Sequence, residues 1–165
     1  MTPYDDILDL ALVSIEDYRL NKLYKESPAE FKLILEGFMI RGLSNFNNCV
    51  KDLSDRDEIE HQFNVKLDDL EKSIIADWTA IMWLDKEIND TRQITAMLQN
   101  RNEAHRYSEA NNLKAKTDHR VQMVEDVKHK QTEYGFKHTD WKGWANVIGV
   151  SLLNSFTTVF FFVAI

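Results

Sequence analysis

Cys49 is the only cysteine of the chain, so no disulfide can form within it, and a reducing compartment is the expectation. Prolines are almost as scarce, with only Pro3 and Pro28, and there are five glycines in 165 residues. So few breakers leave little to interrupt long helices. Basic charge is also short: the net charge is −7 and the pI is near 5.2, which argues against general nucleic-acid binding. The opening MTPYDDILDLALV has acids where a secretion signal needs bases, so no such signal is expected there. The motifs of common enzyme classes are missing: no phosphate loop, dinucleotide fingerprint, nucleophile elbow or HExxH. No catalytic residue, metal ligand, cofactor or small-molecule substrate is therefore expected.

The most informative absence is local. The last 23 residues, Gly143 to Ile165, carry no charge, whereas the residues before them hold all 47 charged side chains. The acids are concentrated early, 13 against 7 bases in residues 1–60, and residues 101–142 are mildly basic, with 9 bases against 7 acids. A basic face on an acidic molecule suits docking on acidic protein or lipid.

Apolar periodicity predicts an all-α fold. Ile7, Leu8, Ala11, Leu12, Ile15, Tyr18 and Leu23 follow a 3.6-residue period, which predicts one amphipathic helix from Asp5 to about Tyr24. Ser27-Pro28-Ala29-Glu30 reads as the start of the next helix, with Ser27 capping, Pro28 in the first turn and Glu30 completing a capping box. That helix is expected to bury Phe31, Ile34, Leu35, Phe38, Met39 and Leu43. Gly37 and Gly42 each cost it roughly 1 kcal/mol against alanine, and each is either a site of close helix contact or a tolerated surface residue. The stretch from Asn45 to Asn64 reads as irregular, with a short helix over Asp55–Gln62.

From Leu67 or Asp68 onward comes the most apolar helix. Leu70, Ile74, Ile75, Trp78, Ile81, Met82, Trp83, Leu84 and Ile88 form its wide stripe, and Asp68 and Asp69 complement the dipole at its start. Asn89–Gln99 reads either as its continuation or as a crossing loop. Glu103 to about Glu133 predicts a long polar helix whose thin seam comprises Tyr107, Ala110, Leu113, Val121, Val124 and Val127. The expected architecture is a bundle of about four principal helices over residues 1–133, followed by an aromatic and apolar C-terminal arm over 134–165.

Three features raise chemistry, and each has a plainer explanation. His105 and Glu109 stand four apart, as metal ligands on a helix do, but a solvated ion pair explains them. Asp68-Asp69 is explained by the helix start, and Cys49 by a small buried apolar role. The arm offers more. Tyr134, Phe136, Trp141 and Trp144 put four aromatics within eleven residues, in the manner of interface anchors or of a strap folded on the chain's own core. Phe156, Phe160, Phe161 and Phe162 extend this partner-binding set into the apolar run. The run has about the length of a membrane span, flanked by Lys137, Trp141, Lys142 and Trp144 as an interfacial belt. Against a span stand Ser151, Asn154, Ser155, Thr157 and Thr158. Residues Ser155–Ile165 also suit an extended strand added to another subunit.

An order of segments carries a resemblance. It runs through Asp17–Tyr24 (DYRLNKLY), Phe46 closing a helix, Cys49 with Lys51-Asp52-Leu53, and Phe63–Ile88 with Ile75-Ala76, Met82 and Trp83-Leu84. It ends in Tyr134, Gly135, Asp140 and Trp141. Over residues 5 to 148 the chain resembles the head-to-tail connector (neck, or adaptor) proteins of tailed phages; Val150–Ile165 departs from that family's pattern. The resemblance implies a structural virion protein, made in the host cytoplasm and placed in the neck. It implies a homo-oligomeric dodecameric ring between the portal protein and a stopper or tail protein, with DNA passing through the lumen without specific binding. The competing expectation is a tail-anchored membrane protein with a C-terminal span.

Overall fold

The computed structural model describes residues 1–15, 18–97 and 103–140, and among them the fold is all-α with a minimal sheet. Strand β1 (Thr2–Pro3) leads into α1 (Tyr4–Ser14), α2 (Tyr18–Glu26) and α3 (Pro28–Gly42), followed by a 3-10 turn at Leu43–Asn45. Strands β2 (Arg56–Asp57) and β3 (Gln62–Phe63) precede the two long helices, α4 (Asp69–Met97) and α5 (Glu103–His138). The chain divides into two compact units, Met1–Gly135 and Phe136–Ile165.

The expected single first helix is two helices. Ile15 takes an extended conformation (φ −106°, ψ 105°), and its N–H donates to Leu12 O at 3.3 Å. The Ile15 side chain is buried all the same; burial was legible in the period, whereas the break was not. The capping box at α3 is a second correction. Pro28 does open the helix, but Ser27 makes no side-chain cap bond; its carbonyl accepts the Phe31 N–H at 3.0 Å instead. Of the expected α3 stripe, Phe31, Leu35 and Met39 are buried and Phe38 and Leu43 half-buried, while Ile34 is exposed. In its place the inward face carries the carboxylate of Glu36.

The short helix expected over Asp55–Gln62 is a hairpin. Arg56 pairs with Phe63 and Asp57 with Gln62, and β1 adds antiparallel on the other side of β3, in the order β1-β3-β2. Local side-chain bonds outcompete the helix here. Asp57 Oδ1 accepts the N–H groups of Ile59 (2.9 Å) and Glu60 (3.0 Å), and Asn64 Nδ2 donates to Asp55 Oδ1 at 2.8 Å. His61 closes the turn in the left-handed region at φ 51°, which His tolerates better than most residues. Pro3 lies on the edge strand β1, where a missing N–H is tolerated. Thr2 anchors that strand, its Oγ1 donating to Val65 O (3.1 Å) and accepting from Leu67 N–H (2.8 Å).

Helix α4 is the axis of the core. Ile74, Ile75, Ala80 and Ile81 are sealed between α1 and α3, with Trp78 and Leu84 almost so. Each large aliphatic buried this way contributes roughly 1.5–3 kcal/mol. The two glycines of α3 separate cleanly. Gly37 faces open space, whereas a Cβ on Gly42 would lie 3.1 Å from Trp78 Cβ and 3.2 Å from its carbonyl carbon. Gly42 is therefore the close-contact residue. Helix α4 continues to Met97, which settles Asn89–Met97 as helix. On α5 the inward residues are Val127 and Tyr134, backed by Met123 and Val124; Ala110 and Val121, expected in the seam, are exposed. The Tyr107 side chain lies outside the described residues.

Candidate functional site

Of the expected partner-binding aromatics, Tyr134 is not at a surface. Its side chain is completely buried in the body, packed edge-on against Phe46 with ring centroids 5.1 Å apart. This corrects the expectation that Tyr134 anchors a partner: its ring fills the chain's own core, and its hydroxyl completes a polar network there. Phe136, two residues on, is 58% exposed. Trp141, Trp144, Phe156, Phe160, Phe161 and Phe162 lie outside the described residues.

The network is centred on Glu71, whose side chain is fully buried. Asp68 and Glu71 form the capping box that opens α4. The Glu71 N–H donates to Asp68 Oδ1 at 2.8 Å, and the Asp68 N–H donates to Glu71 Oε2 at 2.7 Å. This is the reciprocal arrangement that satisfies two orphan donors of a helix start. Lys51 Nζ also reaches Glu71 Oε2, at 2.5 Å, and donates to Lys66 O at 2.6 Å. The Tyr134 hydroxyl donates to Glu71 Oε1 at 2.8 Å and accepts the Val50 N–H at 3.2 Å. One carboxylate thus joins the start of α4, the loop after α3 and the end of α5. Asn48 Nδ2, donating to Gln131 O at 2.9 Å, and Gln131 Nε2, donating to Asn45 O at 2.7 Å, tie the same loop to α5.

Two groups at the network, Tyr134 and Cys49, are held toward their neutral forms. Burial, reinforced by donation to Glu71, pushes the Tyr134 phenol well above its usual value. Burial likewise raises the Cys49 thiol, which sits 3.9 Å from the Tyr134 hydroxyl. A raised, half-buried thiol is a poor nucleophile, in keeping with a packing role for Cys49. Asp68 serves as a cap, and Asp69 points to solvent beside Lys72 at 3.3 Å. The side chains of His105 and Glu109 lie outside the described residues. Glu71 and Lys51 are the residues the sequence reading missed. The signal was present in the Asp68-x-x-Glu71 spacing, which matches a capping box.

A second polar pair, buried only on its Glu36 side, holds the hairpin to α3. His61 Nδ1 lies 2.9 Å from Glu36 Oε2, and the His61 carbonyl accepts the Tyr4 N–H at 2.9 Å. An open cleft beside α5 is lined by Ser14, Asp77, His119, Met123 and His129. Its Lys130 is engaged by Asp77 (2.6 Å) and Ser73 (2.9 Å). Among the described residues, no group of three or more His, Cys, Asp or Glu is arranged to hold a metal ion, and no helix is long and apolar enough to cross a membrane. The geometry of the Glu71 network is that of a structural clamp. Comparison with family models, with curated protein sequences and with solved structures gives no match.

Proposed function

We propose that the chain is a structural subunit of a tailed-phage neck. It assembles as a homo-oligomeric ring between the portal protein and a stopper or tail protein, and DNA passes through the lumen without specific binding. The observation that carries this reading is the split at Gly135. Every residue of the described core cluster lies within the first unit, while the uncharged run Gly143–Ile165 belongs to the second. A body with its own core and a 23-residue uncharged extension suits a subunit that reaches a neighbour, and cyclic symmetry repeats one such contact around a ring. The order of segments, which resembles that of the connector proteins, supports the same reading. Trp141 and Trp144 are the anchors it assigns to the partner.

The length of the run also favours a second reading, a tail-anchored membrane protein. Negative-stain electron microscopy of the full-length chain, purified without detergent, separates the two. Rings with a central hole are expected, and their rotational symmetry gives the copy number. Aggregates that disperse only in detergent would replace the neck reading with the anchor. Replacing both Trp141 and Trp144 with alanine is expected to abolish ring assembly, and rings unchanged by the double substitution would remove the anchor role from these tryptophans.

A further inference from the structure

Between α1 and α3 the body leaves a groove of about 460 Å³. Its floor is Leu8, Ile15, Phe31 and Leu35, all nearly sealed. Leu12, only partly buried, forms a wall. Tyr24 stands on the rim 56% exposed, held edge-on to Phe31 with ring centroids 5.2 Å apart. Beside Pro28, the rest of the edge is charged: Asp5, Asp9 and Lys32. Lys32 lies 2.7 Å from Asp5, so the edge carries an excess of one acid, with Asp9 exposed. An apolar trough with an aromatic rim and an acidic edge fits an apolar segment preceded by a cation.

The chain itself contains such a segment. Gly143–Ile165 is uncharged, and Lys142 is the last charged residue before it. We infer that the groove between α1 and α3 receives side chains from the apolar run Gly143–Ile165 of a second copy of the chain, with Lys142 of that copy set against the Asp5–Asp9 edge. An arm on one copy and a groove on the next make a heterologous contact, which closes into a ring when the rotation between copies closes. The inference rests on the ring reading above and names the contact that would build the ring.

The test mixes isotope-labelled and unlabelled full-length chains, each with Tyr24→p-benzoylphenylalanine, and maps the photocrosslinks by mass spectrometry. Crosslinks from position 24 into 143–165 that join labelled to unlabelled chains are expected. In sedimentation, Tyr24→Ala is expected to weaken self-association about tenfold, the effect of losing an aromatic anchor. Asp9→Lys should weaken it about threefold, the scale of a rim charge pair, and adding Lys142→Asp to Asp9→Lys should restore most of that loss. Rings that persist in the Tyr24→Ala and Asp9→Lys variants, with crosslinks landing elsewhere, would overturn the groove assignment and leave the ring reading intact. A monomer whose crosslinks stay within one label would overturn both.

Discussion

The pairing of α4 with α5 is made in two different ways along its length. At one end, Glu71, Lys51 and Tyr134 form a buried network with Phe46 packed against the tyrosine ring. At the other, Arg120 forks onto Asp85, with Nη2 3.2 Å from Oδ2, and Lys116 reaches Glu87 at 3.3 Å and Thr91 at 3.1 Å. At the first end Glu71 and Tyr134 are completely shielded and only Lys51 reaches solvent, at 30% side-chain exposure; at the second both Arg120 (35%) and Asp85 (30%) are part-open. A fully buried carboxylate must keep all its partners, because nothing else in the core can solvate it. A part-open ion pair can exchange its partner for water at little cost. The buried end therefore sets the register of α5, and the open end follows it.

Glu71→Ala is the strongest way to break that contrast. It removes the shared carboxylate acceptor of Lys51, the Tyr134 hydroxyl and the Asp68 N–H at once, and a loss of about 3–5 kcal/mol in urea unfolding is expected; a loss under about 1 kcal/mol would mean that water or another group replaces the carboxylate. Tyr134→Phe keeps the ring against Phe46 and removes only the hydroxyl, which should cost about 1–3 kcal/mol. The same variant sharpens the comparison through pH. The Tyr134 phenol is raised in the folded protein, so above pH ~10 the unfolded chain releases a proton that the folded chain retains. Stability then falls with rising pH from about 10 until the folded phenol itself ionises, and Tyr134→Phe should remove that share of the alkaline slope. A slope identical in both proteins would show that the phenol ionises freely in the fold. Smallest is the effect of Arg120→Ala, expected below about 1 kcal/mol and shrinking further in high salt. A salt-insensitive loss as large as that of Tyr134→Phe would erase the distinction between the two ends.

The elements that were legible in the sequence are those whose stability comes from a continuous apolar face. The stripe of α4 from Ile74 to Ile88 and the Phe31, Leu35, Met39 face of α3 are read directly from their period. The hairpin was illegible because its strands have two residues each, too short for any alternation to register. The break at Ile15 was hidden because a residue can keep its inward direction while its backbone leaves the helix. The Glu71 network was half legible. Its capping spacing is local, but Lys51 is 20 residues away and Tyr134 is 63, and no pattern in the chain links them. Tyr134 was misassigned for the same reason: an aromatic near an apolar arm looks like an anchor until the fold places it in the core.

What the sequence by itself determined is the helical class, the central place of α4 and the separation of a charged body from an uncharged tail, since all three follow from the spacing of apolar and charged residues along the chain. Only the tertiary structure decided that Glu71 is the buried hub, that Gly42 meets Trp78, that Tyr134 belongs to the core and that a groove opens between α1 and α3. Each of these depends on which distant segments share a desolvated space, and the cost of a buried charge or the room for a Cβ exists only once those segments have come together.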